Sequence, residues 1–210
     1  MSNEIPYAVL LSGGVLLSLY LSNLFYDYKC PQYITRKVAH IGAGVAFLLC
    51  PFLFHSFWWP LGLTAAFMLL LVAARFYKPD TFRGAGGSGR PNALAEINFP
   101  LAAVVSIAVG WGWLGEPWLG TVPITFVGFG DGITGLIRSK VYGKEVKGNY
   151  GSIGMLATCL LLAYFIHPYW VGAVGAGAAV LAEKYTPTTA ITDDNLSIPI
   201  LSVLVMAVVR

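Results

Sequence analysis

The sequence predicts an all-α protein, a polytopic transmembrane helical bundle of about seven to eight spans. Three observations carry this. The chain of 210 residues is 57% hydrophobic and only 11% charged, whereas a soluble domain carries about 25% charged residues. The apolar residues fall in long unbroken blocks, and a bilayer core needs ~20 of them per helix. The cations collect in every second connection between blocks, as the positive-inside rule requires of a chain that crosses repeatedly.

Eight apolar segments follow in order, at residues 5–25, 38–54, 58–77, 93–111, 118–137, 152–167, 169–183 and 196–209. The first is preceded by a short stretch without a basic region, so it reads as a retained helix rather than a cleavable signal. The second starts after Arg36 and Lys37, and the third is bounded by Trp58 and Tyr77, residues suited to the interface. The fourth follows a glycine-rich stretch, 84–89, that could act as a mobile lid. The fifth ends in Gly128, Gly130, Gly132 and Gly135 around Asp131. The last two are short for full spans. In the seventh, the glycines and alanines of 172–179 are expected to let helices approach closely. The whole of 1–210 is expected to form one integral-membrane domain.

Of thirteen Lys and Arg residues, twelve lie in alternate connections and only Arg210 falls elsewhere. Eight spans with both ends outside would put those twelve in the cytoplasm, at a plasma membrane in a prokaryote or an ER-type or organelle membrane in a eukaryote. The outer connections are a few residues long, and the inner ones hold the polar side chains. Cys30, Cys50 and Cys159 show no CxxC spacing, which leaves a zinc or redox pair unsupported.

Four groups on the basic side carry chemistry. Arg36, Lys37 and His40 open the second segment. Arg36 and His40 share a helix face at i, i+4, and adjacent cations suit a polyphosphate; the plainer reading is a positive-inside flank. Gly130 to Gly135 formally matches GxGxxG, but no strand precedes it. The glycines are better explained by close backbone approach or a helix break. Asp131, a carboxylate at the edge of an apolar block, is by default a functional residue. Arg138, Lys140, Lys144 and Lys147 then precede Gly151 and Ser152 at a helix N-terminus, where free amides and the dipole can seat a phosphate. It is no Walker loop, because Glu145 follows Lys144. Finally Glu183, Asp193, Asp194 and Asn195 bring carboxylates to the same side. Hard oxygen ligands beside phosphate-binding cations are what a magnesium–nucleotide site needs. Glu96 and Asn98, after Arg90 and Asn92, are further candidates, with Glu96 also suited to the helix dipole.

Taken in order, Arg36-Lys37-x-x-His40, Gly130-Asp131-Gly132, Tyr142-Gly143-Lys144, Gly151-Ser152, Glu183 and Asp193-Asp194-Asn195-Leu196-x-x-Pro199 resemble the CTP-dependent lipid kinase family, which includes dolichol kinase, phytol kinase and the CTP-dependent diacylglycerol kinase. The resemblance is strongest over 35–200. One departure stands at Tyr150, where relatives carry an acidic residue before the Gly-Ser pair. The resemblance implies an active site at the cytoplasmic membrane boundary and transfer of the γ-phosphate of CTP, with Mg2+, to a membrane alcohol: a polyprenol, a phytol-like alcohol or diacylglycerol. The products would be a lipid monophosphate and CDP. On that reading Arg36, Lys37, Lys144, Lys147, Gly151, Ser152 and Asn195 bind nucleotide. Asp131, Glu183 and Asp194 hold the metal, Asp131, His40 and Lys37 are catalytic, and Glu96, Asn98 and Asp193 assist. Lipid, CTP and membrane are the partners, with no role for nucleic acid. Two other functions use similar groups. A cytidylyltransferase would form a CDP-lipid and pyrophosphate. A transporter would line a path near the midplane, but no internal repeat is visible and the charges sit at one face.

Overall fold

The computed structural model describes residues 3–86, 94–142, 148–189 and 191–210. Among these it is helical and contains no strand. Helices α1 (Ile5–Asp27), α2 (Gln32–Leu53) and α3 (Trp58–Tyr77) are followed by α4 (Ala95–Ser106), which runs on into a π-helical stretch, Ile107–Trp113. Next, α5 (Pro117–Thr125) continues through a second π stretch, Phe126–Asp131, into α6 (Gly132–Tyr142). Then come α7 (Asn149–Leu162) with a 3-10 turn, α8 (Tyr169–Tyr185) and α9 (Asp194–Val209).

Among the described residues five rods are long and apolar enough to cross a membrane: α1, α2, α3, Ala95–Trp113 and Pro117–Tyr142. The helices from Asn149, Tyr169 and Asp194 are shorter, the last two as their sequences led one to expect. Two boundaries move. The second helix begins at Gln32, directly after Pro31, so Arg36 and Lys37 lie within it rather than ahead of it. The fifth rod runs to Tyr142, which puts Arg138 and Lys140 on helix rather than in a loop. A cation does not end a helix, because its long aliphatic stem lets the head reach water or a partner while the backbone stays bonded.

Side-chain contacts sort the connections into two ends. At one end Glu4 Oε1 accepts from the His55 amide (2.9 Å) and Arg210 Nη1 donates to the Leu114 carbonyl (3.3 Å). At the other, Asn23 accepts from the Gly84 amide, Arg75 pairs with Glu96, Arg138 with Glu183, and Lys184 donates to Asn149. The alternation read from the basic residues is therefore the alternation of the fold.

The centre is α5 with the π stretch that follows it, sheathed by α2, α4, α7 and α9, with Val122, Ile124, Phe126 and Val127 fully buried. The small residues of α8 do pack against α9: Ala176 and Ala179 are buried, and Ser202 Oγ donates to the Gly175 carbonyl at 3.2 Å. Close approach also governs α2 and the second π stretch. A Cβ on Gly128 would lie 2.8 Å from Gly44 Cα, so only glycine lets these backbones meet.

Candidate functional site at the basic end of the bundle

That contact builds the site. A π turn takes an extra residue, which re-aims the side chains after it, and such turns recur at functional positions. Here the turn ends on Asp131 and delivers it to α2. Lys37 reaches over Gly135 and forms an ion pair with Asp131 Oδ2. His40, one turn further along α2, lies with Nδ1 3.9 Å from the same oxygen. Its ring stacks on Phe99 of α4, centroids 5.0 Å apart. Asp131 and His40 are both 7% exposed, so their charges and dipoles act in a poorly screened environment.

From Asp131 the same face of α6 carries Thr134 and Arg138, at i+3 and i+7. Thr134 Oγ1 donates to the Gly130 carbonyl (2.8 Å) and to that of Gly151 (3.2 Å). Arg138 Nη2 lies 2.6 Å from Glu183 Oε1 of α8, and Glu183 is completely buried. From the sequence Arg138 is only one of four cations ahead of α7, with no role of its own, although its spacing from Asp131 was available as a signal. Gly151 packs beneath Arg138, where a Cβ would come within 2.5 Å of Nε. Gly151 and Ser152 are thus buried in the first turn of α7, and Arg138 occupies the ground where an open phosphate seat was expected.

The third part is polar and neutralised from within. Asp193 caps α9: its Oδ1 accepts from the Leu196 amide (3.2 Å) and Asn98 Nδ2 (3.0 Å), and its Oδ2 from Asn195 Nδ2 (3.1 Å). Asn195 also donates to the Ala95 carbonyl (3.3 Å), tying α9 to α4. Burial pushes the Asp193 carboxyl above its ordinary range, opposed by the Asn98 and Leu196 hydrogen bonds and the charge of Arg36. Arg36 also acts electrostatically on Asp131 and His40. Its Nε and Asn195 Oδ1 are buried without hydrogen-bond partners. Buried polar atoms are rarely left so, and a donor and an acceptor are open here.

Asp131 and Glu183 each face a cation, and Asp194 sits one residue past the cap. Among the described residues no group of three or more His, Cys, Asp or Glu is gathered that could hold a metal. Among the described residues the expected set of Asp131, Glu183 and Asp194 is therefore not preassembled, and the first two are paired with Lys37 and Arg138. Lys144 and Lys147 lie outside the described residues.

Beside this cluster is an apolar cleft between α1, α2, α3 and α4, with about 870 Å³ of space unfilled by protein atoms, part of it open to the side. His40 and Glu96 are its charged or titratable lining groups; the rest is almost wholly hydrocarbon, with Phe47, Phe67 and Phe99 prominent. Arg75 pairs with Glu96 Oε1, and Glu96 Oε2 is buried without a hydrogen bond. The sequence offered no sign of this cleft, since its walls come from four separate apolar blocks.

Fold and site define a polytopic helical membrane protein whose buried cations, acids and one histidine meet at the end of an apolar cleft. Comparison with known proteins narrows this class. Over 97% of its length the chain is 25% identical to a probable phytol kinase 3, chloroplastic, of Glycine max, covering 72% of that protein. It is 26% identical to a probable phytol kinase of Zea mays and 27% to one of Triticum aestivum, covering 65% and 66% of them. The resemblance to the lipid kinase family carried by the motifs is thus matched along most of the chain, on its phytol kinase side. No family model matches, and no solved structure matches.

Proposed function

We propose that the protein is a membrane lipid kinase that moves the terminal phosphoryl group of CTP to the hydroxyl of a phytol-like or polyprenol alcohol, at the cytoplasmic side of the membrane. The observation that carries this is the junction of the cleft with the cluster. An apolar channel ends on His40, and behind His40 stand Asp131, Lys37 and Arg36. A long-chain alcohol and a triphosphate are two ligands whose reacting ends would meet there. The names of the relatives agree with this reading.

In the reaction the alcohol oxygen bonds to the γ-phosphorus, the bond from that phosphorus to the β-bridging oxygen breaks, and CDP leaves. Such transfer depends mainly on positioning and charge stabilisation. Arg36 and Lys37 neutralise phosphate oxygens, with Asn195 contacting the nucleotide; Lys144 and Lys147 are assigned the same task from sequence. The hydroxyl proton passes to His40 or Asp131. Of the two, only His40 lines the cleft, so it takes the proton while Asp131 orients it and balances the charge that forms. Mg2+ typically uses one or two carboxylates plus substrate phosphates, which suits a chain with no preassembled set; Asp131 is the carboxylate it would reach, and it would neutralise charge on the transferring group.

The test is purified protein with γ-labelled and α-labelled CTP and a panel of alcohols, with Mg2+ or with chelator. Labelled lipid monophosphate and CDP are expected. Pyrophosphate with a CDP-lipid would make it a cytidylyltransferase, and nucleotide-independent flux in proteoliposomes would make it a transporter.

A further inference from the structure

The cleft runs along α2 from His40 to Cys50. On α2 its wall is a row of small residues, Ala39, Ala43, Ala46 and Cys50, at i, i+4, i+7 and i+11 of one helix face, flanked by His40 and Phe47. From His40 to Cys50 the helix rises about 15 Å, roughly half of a ~30 Å hydrocarbon core. At the polar end Ala85 lines it. The segment holding Ala85 is tied down by Thr35 Oγ1 to the Gly84 carbonyl (2.7 Å) and by Arg83 to Asp27 (2.8 Å). At the far end Ala8, Leu11, Cys50 and Phe54 pack together, with Phe54 only 3% exposed and stacked on Trp59. The side is different. Helix α1 packs on α2 and α3 packs on α4, but α1 and α3 scarcely touch. The opening therefore faces the bilayer.

We propose that this cleft selects the tail of a single-chain primary alcohol by length, that the chain enters sideways between α1 and α3, and that Ala46 sets how far it reaches. This rests on the kinase reading for the identity of the head group. The ligand is indicated by the polar end: His40 is more than nine-tenths buried and its Nδ1 has no hydrogen-bond partner, so a hydroxyl arriving there meets an unsatisfied nitrogen. Glu96 Oε2 offers a second unsatisfied acceptor. Beyond these groups the lining is almost wholly apolar, with Phe47 beside the row of small residues on α2, which suits the hydrocarbon chain of such an alcohol.

A larger side chain at Ala46 would fill the far half of the cleft and leave the half next to His40. The experiment uses photoreactive alcohols with a diazirine at the tail end, of geraniol, farnesol and geranylgeraniol length, on the full chain in detergent. Labelled residues are mapped by mass spectrometry, and phosphorylation is measured separately. Wild type is expected to be labelled near Ala46 and Phe47 by the short probe and near Leu11, Cys50 and Pro60 by the long one. Ala46→Phe should lose at least tenfold of the long-probe labelling while keeping that of the short probe, which also shows that it folds. Ala46→Leu should fall between. Leu49→Phe, on the exposed side of α2, should change nothing. Equal loss of all probes in folded Ala46→Phe, no loss of any, or labelling of wild type outside these helices would overturn the inference. Length-selective labelling without phosphorylation of any alcohol would sink the kinase reading and leave the tail site standing.

Discussion

Replacing Gly128 by alanine adds one methyl group at the closest contact in the site. That Cβ would lie 2.8 Å from Gly44 Cα and 3.0 Å from the His40 carbonyl oxygen. Carbon atoms rest about 3.5–4.0 Å apart, so α2 and the π turn must separate by roughly 1 Å. Neither neighbour is a flexible side chain that could move aside, since both are backbone. Overpacking of this kind costs about 1–3 kcal/mol, and in a protein of this size each kcal/mol lowers Tm by roughly 2–4 °C. The functional loss should be larger. Lys37 and His40 ride on α2 and Asp131 on the π turn, so the same displacement opens the distances that assemble the site, and a misplacement of ~1 Å can cost about 100-fold in rate. Gly177→Ala is the comparison, because nothing lies within 4 Å of an added Cβ there and a mid-helix alanine is favoured by about 0.5–1 kcal/mol. Thermal unfolding in detergent and turnover of CTP with phytol should show Gly128→Ala impaired in both and Gly177→Ala in neither. A Gly128→Ala protein with unchanged Tm and turnover would refute the claim that this contact positions Asp131.

Asp131→Asn keeps the shape of the side chain but releases Lys37. Turnover should fall by about two to three orders of magnitude with the fold intact by circular dichroism, and a folded variant at near-wild-type rate would remove Asp131 from the mechanism. Arg138→Met takes the guanidinium away from the fully buried Glu183, which should cost about 3–5 kcal/mol; a Tm within a degree of wild type would show the pair to be dispensable. Burial raises the Asp193 carboxyl pKa above its ordinary 3.8, so the folded state holds this proton more tightly than the unfolded state. Its contribution to stability is thus full below 3.8 and declines as pH rises through the raised value. Asp193→Asn should flatten that part of the Tm–pH curve, and an identical slope in the variant would assign the titration elsewhere.

The helices were legible because hydrophobic blocks of span length have few alternatives, and their alternation because the cations mark every second turn. What the sequence did not disclose depends on geometry between blocks. The surroundings of the expected metal set were not legible: Asp131, Glu183 and Asp194 are hard ligands by type, but the first two pair with Lys37 and Arg138, contacts between chain segments that sequence spacing does not show. Asp193 was read only as an assisting residue of the site, and its three hydrogen bonds also make it the pin between α4 and α9. The glycines around Asp131 were correctly read as packing sites, although nothing in the string Gly128 to Gly135 announced a π turn. The cleft was invisible because Ala43, Leu63 and Phe99 look like ordinary lipid-facing residues until three helices bring them together.

The pairing of acids with cations bears on how such a site survives between turnovers. A cluster of Arg36, Lys37 and Arg138 alone would be a buried excess of positive charge, costly at low dielectric. Asp131 and Glu183 reduce that cost in the resting protein. The two pairs are not equivalent, however. Glu183 is completely buried and holds Arg138 against the floor of α7, which makes that pair architectural. Lys37 and Asp131 retain some exposure, and Lys37 rests on a glycine rather than between bulky neighbours. On the kinase reading, a phosphate approaching from the basic end would take Lys37 from Asp131 without dismantling the bundle, and the freed carboxylate would be left beside His40, a lining group of the apolar cleft. On that reading the arrival of the anion would itself prepare the acid–base pair.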